Sequence, residues 1–251
     1  MSVMGRAANY LLIDISNSFT KLAFASKIKI GRRQKVTTPR FDANFMRHFI
    51  NRRKIDMWIV SSVVPKRNRD VRKAAGTTKV LWLNSRLKLG VGIDYPRPKS
   101  IGADRLANAA AVAALYGSPA IVVDFGTAVT FDIVSEGKNY IGGVIAPGLE
   151  AMTNFLYQRT ALLPKLSLQE PRRAIGRSTI EAMRSGAVFG YRGLVREIIA
   201  QIKAERFSQK KVHVIATGGY AELISARLPE IDAVHRDLTL EGLRIVANLN
   251  S

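Results

Sequence analysis

Two aspartates, Asp14 and Asp124, stand 110 residues apart, each at the end of an apolar run and just before a turn of small residues. Around the second, the chain reads A-I-V-V-D-F-G-T-A-V-T-F-D from Ala120 to Asp132. Thr127 and Thr130 offer hydroxyl and N–H donors there, and the carboxylates of Asp124 and Asp132 can hold a hydrated cation. Donors beside acids at one bend suit a phosphate that arrives with its metal. A lone copy serves equally as a core hairpin with polar turn residues, because short motifs match often by chance. The first stretch, Y-L-L-I-D-I-S-N-S-F-T-K from Tyr10 to Lys21, repeats the arrangement and adds Lys21 at the start of the next strand. Two copies imply two related halves with phosphates held between them.

A further group of chemical interest lies in I-D-Y-P-R-P-K-S-I-G-A-D-R-L, Ile93 to Leu106. Two prolines and Gly102 make this a loop, and an Ala-rich helix is expected from Leu106 to Tyr116. Asp104 is then either the N-cap of that helix or a general base beside an arginine that holds an anionic substrate. Other chemistries lack their residues. There is no cysteine, so neither a disulfide framework nor a thiolate metal site exists. His48, His213 and His235 are scattered without metal-ligand or triad spacing, and neither a Walker loop nor a Rossmann glycine motif is present.

These groups must be positioned by an α/β framework. Strands are expected at the two bends, at 22–30 with a basic turn at 31–35, and at 57–64, 80–83, 140–148 and 211–219. Helices are expected at 44–51, 67–75, 149–157, 180–205 and 241–249. Thr217-Gly218-Gly219 ends a strand, where glycines let a ribose or adenine approach the backbone. Gly186 and Gly190 share one helix face and fit close packing by a second helix. The predicted division is 1–118, carrying the first phosphate hairpin and the substrate loop, and 119–251, carrying the second hairpin and dimerisation helices.

At 251 residues the chain is long enough for one large or two smaller domains. No export signal is expected, because the short apolar run after Arg6 is interrupted by Asp14. No apolar run is long enough to span a bilayer, so a cytoplasmic protein is expected. The net charge of +20 is concentrated early: residues 1–99 hold 22 Lys+Arg against 5 Asp+Glu. That excess reads first as a solvated basic face, since no nucleic-acid recognition signature accompanies it. A polyanion partner is the second reading.

Taken together, several motifs occur in a particular order along the chain. They are D-x-x-N-S-x-x-K at 14–21, Y-x-x-P at 95–98, G-A-D-R at 102–105 and D-F-G-T-A-V-T-F-D at 124–132. G-G-V-I-A-P-G at 142–148, T-A-L-L-P at 160–164 and T-G-G at 217–219 follow. This chain resembles the type III pantothenate kinases, members of the acetate and sugar kinase, heat-shock chaperone and actin superfamily. The resemblance runs from residue 10 to about residue 245.

It implies two ribonuclease-H-like domains facing across a cleft, ATP with Mg²⁺ as phosphoryl donor, and a homodimer. ATP is expected at the first hairpin (Asp14, Ile15, Ser16, Asn17, Ser18, Phe19, Thr20, Lys21) and at Thr127. A monovalent cation, K⁺ or NH₄⁺, is expected at Asp124. Pantothenate is expected at Tyr95, Gly102, Ala103, Asp104, Arg105 and Thr179, with Asp104 as catalytic base. The implied reaction makes 4'-phosphopantothenate, the first step toward coenzyme A. Ser16 departs from the family pattern, which has glycine there. Two alternatives stand beside this reading. One is a weakly catalytic or non-catalytic relative that binds nucleic acid or a regulator through the basic N-terminal half. The other is a kinase of the same fold acting on another small hydroxy compound. No membrane partner is expected.

Overall fold

The computed structural model describes residues 9–207 and 210–251; the opening eight, part of the stretch read as lacking an export signal, lie outside them. The chain divides into two compact units. The first takes the chain up to Leu115 together with Lys138–Ile141 and Asp237–Ser251; the second takes Tyr116–Gly137 and Gly142–Arg236.

The first unit is built on a five-stranded sheet. Its strands are β1 (Tyr10–Ile15), β2 (Phe19–Ala25), β3 (Gln34–Thr37), β4 (Met57–Ser62) and β5 (Lys79–Trp82), in the order β3-β2-β1-β4-β5. β1 is antiparallel to β2 and parallel to β4. It is apolar on both faces except at Asp14, which fits a central strand covered by helices on both sides. On one face Leu11, Ile13, Ile15, Trp58 and Val60 pack against α1 (Ala43–Ile50) and α2 (Pro65–Ala75) through Met46, Val71 and Ala75. α3 (Ala103–Leu115) and the last helix, α7 (Leu238–Leu249), also pack on the strands, α3 against β4 and α7 against β1 and β4. The alanines of α3 admit α7 very closely, since a Cβ on Gly242 would fall 2.0 Å from the Ala107 carbonyl oxygen. A short strand, β6 (Gly92–Ile93), pairs in parallel with Asn139 and Tyr140.

The second unit repeats the plan. Its strands are β7 (Ala120–Phe125), β8 (Ala128–Val134), β9 (Asn139–Pro147), β10 (His213–Gly218) and β11 (Ala233–Val234), in the order β11-β10-β7-β8-β9. Here too the central strand is antiparallel to its hairpin partner and parallel to the strand on its other side. Helices α4 (Leu149–Arg159), α5 (Thr179–Arg206) and α6 (Ala221–Ser225) complete it, with Val188, Tyr191, Val195 and Ile199 of α5 buried. The doubling expected from the two aspartate bends is thus a doubling of strand order, and each unit has the ribonuclease-H-like arrangement.

Four details differ from expectation. β2 ends at Ala25 rather than at 30, because Ser26 Oγ accepts from the Ile28 and Lys29 N–H groups and turns the chain there. α3 begins at Ala103, so Asp104 lies in its first turn and the loop ends earlier than read. The expected division at 118/119 omits the return of α7, whose Leu238, Leu240, Leu243 and Val246 are buried in the first unit. Finally, a Cβ on Gly186 or Gly190 would meet nothing within 4 Å, so among the described residues no helix packs closely on that face.

Candidate active site

The first bend forms because β1 stops at Ile15 and the chain reverses through Ser16-Asn17-Ser18, closed by a Ser16 N–H to Phe19 carbonyl bond of 3.2 Å. Thr38 braces it from β3's end: its hydroxyl donates to the Ser16 carbonyl at 2.6 Å, and its N–H to the Ser18 carbonyl at 3.0 Å. Asn17 and Ser18 are exposed, whereas Asp14 is almost fully buried. Lys21 stands opposite Asp14 in the β1–β2 register, Nζ 3.8 Å from Oδ2. Ser61 flanks Asp14 on the other side in the β1–β4 register. Ser16 is not among the residues with positive φ, so serine in place of glycine carries no backbone penalty here.

At the second bend Gly126 and Thr127 join β7 to β8, with the Gly126 N–H donating to the Ala128 carbonyl at 3.1 Å. Both residues are exposed. Gly126 does not take positive φ, and a Cβ there would make ordinary contacts. The demanding glycines lie beside it. A Cβ on Gly148 would fall 2.3 Å from the Thr127 carbonyl oxygen, and one on Gly218, at φ 96°, only 2.6 Å from the Phe125 backbone. The Gly148 N–H donates to Thr127 and the Gly219 N–H to Phe125, so two glycine turns clasp the hairpin from either side. Gly218 is therefore required by the protein's own backbone, while the space around Gly219 stays open, its nearest neighbour 4.0 Å from an added Cβ.

Asp124 has Thr130 opposite it on β8 and Thr217 beside it on β10, the places Lys21 and Ser61 hold around Asp14. Thr217 is fully buried, and its hydroxyl makes no hydrogen bond among the described residues. One carboxylate with two threonines beside it in register suits a weakly charged, oxygen-seeking cation. No cluster of three or more His, Cys, Asp or Glu that could cage a metal occurs among the described residues. Mg²⁺ is usually carried with nucleotide phosphates and water rather than held by protein ligands alone.

The loop expected to bind substrate belongs to the first unit. Asp104 Oδ1 accepts from the Arg105 N–H at 2.9 Å and lies 2.6 Å from where a Cβ on Gly102 would be, so glycine is needed there for this rotamer. The helix begins one residue before Asp104, so the N-cap reading of this aspartate is not correct. The Arg105 guanidinium lies over the Tyr140 ring at 5.7 Å, and Tyr95 meets the same ring edge-on at 6.1 Å. Tyr140 thus links two of the expected pantothenate residues. Sequence reasoning passed over it, because a tyrosine at the head of an apolar strand reads as core. Thr179, expected in the same site, belongs to the second unit, exposed at the first position of α5 after the Ser178 N-cap. Behind the second bend the Tyr191 ring approaches Phe125 at 6.3 Å, and burial pushes its hydroxyl well above the ordinary phenol range.

A family model described as type III pantothenate kinase matches residues 10–201. A type III pantothenate kinase from Akkermansia muciniphila is 48% identical over 96% of this chain and 99% of its own length. Among solved structures, a chain described as a conserved Baf family transcriptional activator from Campylobacter jejuni superposes with a TM-score of 0.60 at 18% identity, covering 96% of this chain and 98% of that one. Component A of (R)-2-hydroxyglutaryl-CoA dehydratase from Acidaminococcus fermentans gives 0.51 at 14% identity, covering 96% of each chain. At such identities the two structures speak for the fold alone.

Proposed function

This chain belongs to the type III pantothenate kinase family, and from that membership we propose how its own residues share the reaction. The reaction is ATP-dependent phosphorylation of pantothenate to 4'-phosphopantothenate, in coenzyme A biosynthesis. The observation that supports the assignment of residues is the repeated bend: an aspartate at the end of the central strand of two sheets with the same order.

The β1–β2 bend from Asp14 to Lys21 and the Thr127 hydroxyl and backbone hold the ATP phosphates, with Mg²⁺ arriving on the nucleotide. Phosphoryl transfer depends mainly on positioning and on neutralising phosphate charge, which Lys21 does from one side. Asp124, with Thr217 beside it in register, would hold a monovalent cation, which would supply further fixed positive charge. Asp104 takes the proton of the primary hydroxyl of pantothenate; the oxygen bonds to the γ-phosphorus, and the bond to ADP breaks. Arg105 pairs with the pantothenate carboxylate, held in place by its stacking on Tyr140, while Tyr95, Gly102, Ala103 and Thr179 complete the substrate contacts. Two copies of the chain associate through α4 and α5, where Met152, Phe155, Leu156, Tyr157 and Phe189 are exposed beside the open glycine face. The reaction takes place in the cytoplasm.

The deciding experiment is a potassium-dependent ADP-release assay on the unaltered chain and on Asp104→Asn. The substitution should lower kcat by roughly 10²- to 10⁴-fold while pantothenate still binds by calorimetry; an unchanged kcat sinks the base assignment. ADP release with other small hydroxy compounds, but not with pantothenate, would sink the substrate assignment.

A further inference from the structure

The basic excess of the N-terminal half has a definite place in the fold. From Arg40 to Lys73 the chain carries ten Lys and Arg against three Asp. α1 and α2 pack beside each other and turn their apolar sides to the first sheet. Away from those sides Arg47, Lys66, Arg69 and Lys73 are exposed, as are Arg52 in the turn after α1 and Arg72, whose guanidinium lies over the Trp82 ring at 5.0 Å. None of the three aspartates answers them. Asp42 caps α1 by accepting from the Phe45 N–H at 2.8 Å, Asp56 accepts from the Asn9 N–H at 2.8 Å, and Asp70 pairs with Arg67 at 3.3 Å. Among the described residues, none of the six exposed cations pairs with a carboxylate. In the second unit four exposed cations, Arg196, Lys210, Arg227 and Arg236, each pair with a glutamate. A surface whose only task is solubility needs no such one-sided charge.

We propose that the α1–α2 face binds the phosphate backbone of nucleic acid, as an activity separate from the kinase reaction. Lys66, Arg69 and Lys73 follow a helical i, i+3, i+7 spacing, which lays cations along about 10 Å of α2, close to the rise of three steps of one nucleic-acid strand. Arginines predominate, and their planar forks match phosphate oxygens in pairs. An anionic membrane is the other large polyanion. It fits less well, because neither helix carries a large apolar side chain among the exposed ones, and an interfacial helix needs such side chains to enter the lipid. With backbone contacts alone, binding is independent of sequence and steeply dependent on salt.

The test measures fluorescence anisotropy of a labelled 20-base-pair random-sequence duplex, and of an RNA of equal length, with the full chain at low and near-physiological salt. Four phosphate contacts predict a loss of affinity of about a hundredfold between ~50 and ~200 mM salt. A variant carrying Arg47→Gln, Lys66→Gln, Arg69→Gln and Lys73→Gln should bind at least tenfold more weakly with a shallower salt slope, and keep kcat and the KM for pantothenate. A variant with the same loss of charge at Arg196, Lys210, Arg227 and Arg236 should bind as the unaltered chain does. Should the first variant fail to fold, Lys66→Gln with Lys73→Gln, both on α2, should give about half the change in slope. The proposal is overturned if the unaltered chain fails to bind at the lower salt. It is overturned equally if both four-site variants lose binding alike, or if phosphatidylserine vesicles are bound and nucleic acid is not.

Discussion

Lys21 Nζ lies 3.8 Å from Asp14 Oδ2, directly across the β1–β2 register, and Thr130 holds the equivalent place opposite Asp124 in the second sheet. The two bends therefore share a scaffold and differ in charge: one brings its own cation, the other offers a hydroxyl. Asp14 is buried and Lys21 only partly exposed, so Lys21 is held as a charge fixed beside the bend proposed to hold phosphate. Lys21→Met should lower kcat/KM for ATP by roughly 10²- to 10³-fold, the usual effect of removing one preorganised donor. The dissociation constant for pantothenate should hardly move. A change of less than about threefold in kcat/KM would remove Lys21 from the phosphate site.

Ser16 stands where the family pattern has glycine, yet its φ is not positive and its N–H and carbonyl are both bonded, to Phe19 and Thr38. Serine is thus at ease in this bend. Ser16→Gly should lose about 0.5–1 kcal/mol of stability, the entropic cost of ordering glycine, with the KM for ATP changed by less than threefold or so. A tenfold gain in kcat/KM for ATP would instead mean that the serine side chain crowds the phosphates.

Gly126 and Gly148 lie at the same bend and should respond in opposite ways. A methyl group on Gly148 collides with the Thr127 and Gly126 carbonyl oxygens at 2.3 and 2.6 Å. Gly148→Ala should therefore cost on the order of 1–3 kcal/mol, as overpacking does, and raise the KM for ATP by displacing Thr127. A methyl group on Gly126 meets only the Ala128 carbonyl at 3.4 Å and Asp124 Oδ1 at 3.8 Å. Gly126→Ala should keep the melting temperature and still weaken ATP binding, because the space it fills is the one proposed for the ATP phosphates. Equal melting temperatures for the two variants would contradict this account.

The two aspartate bends were legible because each rests on local information, an apolar run followed by small residues, and the matching strand order follows from that duplication. The start of α3 was harder to read. Prolines up to Pro98 argue for a loop, but the helix opens at Ala103, where packing of Leu106, Ala107 and Ala110 outweighs the loop signal. The return of α7 to the first unit depends on Gly242 meeting Ala107 across 135 residues of chain, a contact no local pattern encodes. Tyr140 was missed for the same reason: its importance lies in Tyr95 and Arg105, both distant in sequence.

Arg192 on α5 is buried and tied to Glu170 by two bonds, 3.0 and 2.6 Å, and also donates to the Leu223 and Ile224 carbonyls. The hydrogen bonds from Arg192 hold the Glu170 carboxyl below the ordinary glutamate range, with the charges of Arg192 and Arg227 adding to the effect. A carboxyl lowered by folding stabilises the native state above its unfolded pKa, and that contribution is lost as pH falls through the folded value. The unaltered chain should therefore lose stability on acidification from roughly pH 5 towards pH 3, in part through this pair. Arg192→Met strands two backbone carbonyls and should cost about 2–4 kcal/mol at neutral pH. Its melting temperature should then fall less steeply over the acid range than that of the unaltered chain, and Glu170→Gln should show the same shallower slope at a smaller neutral-pH cost. Parallel acid slopes in all three proteins, followed by calorimetry, would mean that the stability of the second unit does not depend on this ion pair.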